Sequence, residues 1–222
     1  MIYTILGLLS MGGLIFAFYA HANARRTYIQ YSQVPSKKGI TGKKLTKAFL
    51  KEFGAENVGV EEIGGILTDH YDPRKRVIRL SKEVSSGKSL AAIGIAAHES
   101  GHAVQHIQEY LPFRVRARMA PIIKTLSLVS IPIGLIGFIF EPMLINITAL
   151  LLISFILFYV VTLPVEFDAS SRALALLENK HYLDEGELEK INKVLVAAAF
   201  TYIAGTLILI LRFLRLFLSR KR

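Results

Sequence analysis

Hydrophobic and polar positions alternate on two different scales along this chain. Four stretches carry no charged residue: Met1–Ala20, Thr125–Phe140, Pro142–Val165 and Val194–Leu211. A helix that crosses a bilayer needs about 20 apolar residues, with a range of roughly 17–25. The first, third and fourth stretches reach that length, and the second does so if Lys124 snorkels to the interface. Between them lie segments with shorter periods. "TGKKLTKAFLKEFG" (Thr41–Gly54) has Leu45, Ala48, Phe49 and Phe53 at helical spacing, with Gly54 as a stop. "NVGVEEIGGILTDHYDPRKRVIRLS" (Asn57–Ser81) reads as short strands, with turns at Gly64-Gly65 and Asp72-Pro73. "SSGKSLAAIGIAAHESGHAVQHIQEY" (Ser85–Tyr110) reads as a cap at Ser89 followed by a long helix. Its interior glycines, Gly94 and Gly101, cost about 1 kcal/mol each relative to Ala, a cost that points to close backbone approach.

The pattern predicts a mainly α membrane protein with about four hydrophobic helices, a small β-sheet or hairpin and a catalytic region. Its segments are an anchor (1–20), a catalytic region (21–120), a transmembrane hairpin (121–163), a helix and loop (164–193), and a last hydrophobic helix with a basic tail (194–222). Residues 21–120 hold 17 Lys/Arg and 9 Asp/Glu and no run long enough to span. "AHANA" (Ala20–Ala24) resembles a signal-peptide cleavage site, but no cation precedes the apolar core and Arg25 and Arg26 follow it. That order predicts an uncleaved anchor with its N-terminus outside. The tip at Glu141 and Pro142 is free of Lys and Arg and is expected outside, so the flanking soluble segments face the cytoplasm. The C-terminal run either spans or lies along the inner surface; its basic tail resists an outside location.

The net charge of +10 admits a nucleic-acid partner, but the cations accompany the spans, as positive-inside loops do, so no nucleic acid is expected. Cysteine is absent, which removes thiolate chemistry and leaves His, Asp and Glu as metal ligands.

The candidate chemistry lies in "AAHESGHAVQH" (Ala96–His106). His98 and His102 are four residues apart, so on a helix they share a face and can converge on one zinc ion. Glu99 is turned about 100° away and is placed to act as general base on water. His106 lies about 12 Å from His98 along a straight helix, too far for a shared ion, and is expected to play a supporting part. A metzincin would place its third histidine where Gln108 stands and needs a glycine that is missing here. A carboxylate must then close the site, and the best candidate is Glu166 in "VEFDAS" (Val165–Ser170). Asp168 points away from Glu166 and is expected in a supporting or capping role. His70, Asp69 and Asp72 in "LTDHYDP" are weaker ligand candidates, read as shaping a turn. Tyr71, His70, Tyr202 and His181 are candidate oxyanion partners, none favoured; His21 and His181 otherwise read as interface or surface residues.

"LTDHYDPRKRVIRLS", "AAIGIAAHESGHAVQH" and "VEFDASSRAL", with "KVLVAAAFTYIAG" behind, resemble the YugP-type neutral zinc metallopeptidases of bacteria. More distantly the chain resembles membrane gluzincins of the HtpX and CAAX prenyl protease type. The resemblance implies a zincin-like membrane peptidase with one zinc ion and Glu166 as third ligand. Ser170 stands where the wider group has Asp. The resemblance also implies that Arg74–Ser81 forms an edge strand beside the cleft, available to an extended substrate. The expected activity is zinc-dependent hydrolysis of peptide bonds in membrane or near-membrane proteins. The rival expectation is a zinc-binding membrane scaffold without turnover. A protease with its motif inside the bilayer is disfavoured, because the apolar run Leu90–Ala97 is too short to span.

Overall fold

The computed structural model describes residues 2–139 and 142–219; side chains are described for 5–130, 132–133 and 146–218. The hairpin tip at Glu141 lies outside the described residues, as does Phe140 at the end of the second apolar stretch. The elements run α1 (Ile2–Ser32), α2 (Gly42–Glu52), β1 (Gly59–Ile63), β2 (His70–Asp72), β3 (Val77–Ser81), α3 (Lys82–Ser85), α4 (Leu90–Ile107), α5 (Leu111–Ile139), α6 (Pro142–Asn179) and α7 (Glu185–Ser219). Among the described residues, three helical stretches, Ile5–Ser32, Asn146–Asn179 and Glu185–Leu218, are long and apolar enough to cross a membrane.

The helix starts follow local chemistry. Thr41 caps α2 by accepting from Lys44 N, and Ser89 caps α4 by accepting from Ala92 N. The helix α1 continues a dozen residues past the apolar stretch that ends at Ala20, so its polar end stands beside the catalytic region. Among the described residues, the sheet has strand order β1-β3-β2, with β1 parallel and β2 antiparallel to β3. This corrects the expected edge strand: Val77–Ser81 lies in the centre, with both hydrogen-bonding rims taken. The physical reason is the short β2–β3 turn, held by Asp72 Oδ1 accepting from the backbone N–H groups of Arg74 and Lys75, which folds His70–Asp72 back alongside β3.

The central element is α4. Leu90, Ala91, Ile93, Ala96, Ala97 and Ala103 are fully buried, and α2, the sheet, α6 and α7 surround the helix. Small residues on several of its faces make this possible. A Cβ on Gly101 would lie 2.6 Å from the carbonyl oxygen of Ala169, so α4 and α6 meet backbone to backbone. A Cβ on Gly94 would lie 2.9 Å from Ile191 Cγ2 on α7. Arg116 near the start of α5 pairs with Glu166 far along α6, so these two helices run antiparallel.

The C-terminal run lies in α7. The first half of this helix packs on α4 and α6 through buried Ile191, Val194 and Leu195. The same helix then continues along α1, where Leu211 and Ile208 lie against Gly13.

Gly101→Ala therefore tests whether the α4–α6 contact limits the fold. Helix propensity alone would stabilise this variant by about 1 kcal/mol. The contact with Ala169 is expected to outweigh it, with a net loss of about 1–2 kcal/mol in denaturant unfolding.

Candidate metal centre

Three side chains converge where α4 meets α6. One ligand atom from each of His98, His102 and Glu166 lies within 4.8 Å of the other two. His98 Nε2 is 3.3 Å from Glu166 Oε2, and His102 Nε2 is 3.6 Å from Glu166 Oε1. The imidazole centroids are 4.7 Å apart, as one helical turn dictates. Glu166 is brought in by the Gly101–Ala169 contact, three residues further along α6.

The rings are oriented from behind. His102 Nδ1 is 3.0 Å from Gln105 Oε1. The Gln105 Nε2 group donates to Val165 O at 2.8 Å and to Asp168 Oδ2 at 2.7 Å. An amide so placed turns its oxygen to the ring, so Nδ1 carries the proton and Nε2 presents its lone pair to Glu166. Arg172 Nε donates to the same Asp168 oxygen at 2.5 Å. Ser170 Oγ lies 3.1 Å from His98 Nδ1; the hydroxyl thus makes a ring contact where the wider group has a carboxylate. Partners of this kind fix the tautomer and ring plane of metal-binding histidines.

The electrostatics fit a cation. Glu166 Oε1 is fully buried and accepts no hydrogen bond, although the Arg116 guanidinium lies 3.0 Å away. A single ion pair offsets only part of the cost of burying this carboxylate, and a divalent ion among these nitrogen and oxygen donors would relieve the rest. Burial lowers the His102 pKa to about 3, keeping its ring neutral as ligation requires. For His98, burial acts downward but the Glu166 carboxylate outweighs it, and the net direction is upward. Glu99 is 8% exposed; burial raises its carboxyl to about 7, with the charge of Glu166 adding to the rise against His98.

Two cavities, about 570 Å³ and 590 Å³, flank the cluster and share Asp69, His98, Glu99, Glu166 and Tyr202 as walls. Of the other candidates, Tyr202 on α7 faces both. His106 stands aside from the cluster, its Nδ1 2.8 Å from the Tyr71 hydroxyl. His70 and Asp72 line the second cavity without joining the ligand trio. His70 Nδ1 lies 2.8 Å from Thr68 O, and Asp72 pairs with Arg79 at 3.0 Å. Asp69 accepts from Ser81 N and Oγ. His21 lines the first cavity, and His181 lies in the α6–α7 turn, where Lys38 Nζ donates to its carbonyl. Sequence reasoning gave no role to Gln105 or Arg116. Gln105 was within reach of it, three residues past His102 on a buried helix, whereas Arg116 meets Glu166 only through the antiparallel packing of α5 on α6.

The raised Glu99 carboxyl has a signed consequence for the metal-free protein. Its folded pKa lies above the ordinary value of 4.5, so its ionisation destabilises the fold as pH rises through that range and leaves it unaffected below. Glu99→Gln is expected to stabilise the metal-free protein at pH 8 by on the order of 3 kcal/mol. At pH 4.5 this contribution vanishes. Thermal unfolding of both proteins at the two pH values checks the sign.

Comparison with known proteins adds an independent line. A family model described as "Putative neutral zinc metallopeptidase" matches residues 6–221. The chain is 37% identical over 215 residues to a Bacillus subtilis (strain 168) protein named "Putative membrane protease YugP", covering 95% of this chain and 96% of that one. No solved structure matches. With nearly its whole length matched, the chain belongs to the family of neutral zinc metallopeptidases so described.

Proposed function

We propose that this protein is a membrane-bound zinc metallopeptidase in which His98, His102 and Glu166 hold one zinc ion and Glu99 is the general base. The observation that carries the reading is the convergence of three ligand atoms within 4.8 Å around a buried carboxylate oxygen that accepts no hydrogen bond. Zinc bound there would supply Lewis-acid chemistry, lowering the pKa of water to about 7 and polarising a carbonyl.

The chain's own residues do the rest. Gln105 and Ser170 hold the two rings so that both Nε2 lone pairs face inward. Glu99, on the wall of both cavities, takes a proton from the attacking water and passes it to the leaving amine. Its carboxyl is poised near 7 in the absence of metal, close to the pH at which base and acid duties must alternate. Tyr202 shares the wall with Glu99 and Glu166 and is the candidate best placed to donate to a developing oxyanion.

The active site faces the cytoplasm in this reading, and the protein is a multi-pass resident of the plasma membrane. The polar ends of α1 and α6 meet at the site while their apolar stretches lead away from it, and α7 reaches the site with the first half of its uncharged stretch. Substrates are membrane proteins or their near-membrane segments, since Glu166 directly follows the apolar run of α6. The rival reading, a zinc-binding scaffold without turnover, predicts that Glu99 is dispensable.

Two measurements test these statements. Glu99→Gln should retain bound zinc and lose peptide cleavage by about 10²–10⁴-fold, whereas Glu166→Ala should lose both; full biological effect in zinc-loaded Glu99→Gln would establish the scaffold. For orientation, the chain's lack of cysteine allows a single reporter, Lys75→Cys, in the exposed β2–β3 turn. An impermeant maleimide should label it in inverted vesicles and leave it unlabelled in intact cells. Labelling in intact cells would place the site outside.

A further inference from the structure

The two cavities that share the metal cluster have different chemistry, and this difference bears on which peptides fit. The cavity of about 570 Å³ lies between α1, α4 and α7; Arg25 on α1 is the one Lys or Arg on its wall, and Leu195, Ala198 and Ala199 on α7 give it an apolar side of mostly small side chains. The cavity of about 590 Å³ lies between β2, α4 and α5, and Arg74 and Lys124 stand on its wall. Among the described residues neither cation has a carboxylate within ion-pair distance.

Three of the four acids on that second cavity's wall are engaged: Asp72 pairs with Arg79, Asp69 accepts from Ser81, and Glu166 belongs to the metal cluster with Arg116 beside it. The fourth, Glu99, is the general base of the peptidase reading. Arg74 and Lys124 are the cations on this wall left without an acidic partner. Because Glu99, Glu166 and Tyr202 wall both cavities, a chain crossing the metal cluster enters one cavity on each side.

Resting on the peptidase reading, we infer that the cleft selects an extended peptide segment with apolar residues on one side of the cut bond and acidic residues on the other. The α1–α7 cavity takes the apolar side chains. Arg74 and Lys124 take the acidic ones through contacts that are exposed and hence sensitive to salt. Neither cation is part of the catalytic machinery, so both can be reversed without touching it.

The test uses the full-length, zinc-loaded protein in nanodiscs of neutral phosphatidylcholine. Matched peptides share an apolar half and differ in the other half, acidic or basic. Products are located by mass spectrometry, and binding of the same peptides to zinc-loaded Glu99→Gln is measured in parallel.

The expected result is a preference in kcat/KM for the acidic peptide, with the apolar half on the opposite side of the cut. The double variant Arg74→Glu, Lys124→Glu should lower the acidic-to-basic ratio about tenfold at low ionic strength, and added salt should shrink the change. Ala198→Leu should disfavour large apolar side chains against Ala or Gly while leaving the charge preference in place.

An unchanged ratio in the double variant would overturn the inference. So would an equal loss for both peptides, or an effect confined to binding of phosphatidylglycerol vesicles, which would make the cations headgroup contacts. A charge preference in binding to Glu99→Gln with no cleavage by the wild type would uphold the recognition and remove the peptidase reading. Cleavage without charge preference would do the reverse.

Discussion

The site depends on one close approach, that of α4 to α6 at Gly101 and Ala169. Helices ordinarily pack 8–10 Å apart; here the absence of a side chain at Gly101 lets a backbone carbonyl of α6 rest where a Cβ would stand. Coordination bonds are about 2 Å long, so a ligand set split between two helices demands such proximity. The two histidines come as a pair from one helical turn and need no tertiary help to face the same way. Glu166 does need it, and so do Ser170, which contacts the His98 ring, and Asp168, which accepts from the Gln105 amide behind His102.

That arrangement places several costly groups in one buried volume. A carboxyl raised to about 7 at Glu99 and a buried Glu166 carboxylate whose Oε1 accepts no hydrogen bond are each unfavourable in a metal-free fold. The small side chains that crowd around α4 offset this by burying apolar surface on several faces. Local strain of this kind concentrates where function needs it, and Glu99 is the plainest case, because a neutral isostere would fit the same space.

Much of this was legible in the chain itself. The helical spacing of His98 and His102, the cap at Ser89 and a loop within 164–193 follow from local rules, and the structure has α4 and the α6–α7 turn there. The cost of Gly94 and Gly101 pointed to close contacts, though not to their partners. Two things were beyond a linear reading. Strand order depends on which rim of β3 the β2 turn folds back to, so a strand expected at the edge stands in the centre. The partnership of Arg116 with Glu166 and of Gln105 with Asp168 requires knowing which faces of α5, α4 and α6 meet.

The same packing explains why Glu166 stands at the end of the apolar stretch of α6 rather than within it. Glu166, Asp168, Ser170 and Arg172 occupy consecutive turns of α6 just past its uncharged stretch. Moved two turns toward the N-terminus of the helix, the same polar groups would need satisfaction from lipid, which supplies none. Moved two turns the other way, α6 would lose its contact with Gly101 and the carboxylate would leave the histidines. In the peptidase reading, that boundary is where α4 can sit against α6 with water on one side for hydrolysis and apolar helices on the other. A peptide reaching both cavities from there has its ends in unlike surroundings, the small apolar residues of α7 on one hand and the unpaired cations of β2–β3 and α5 on the other.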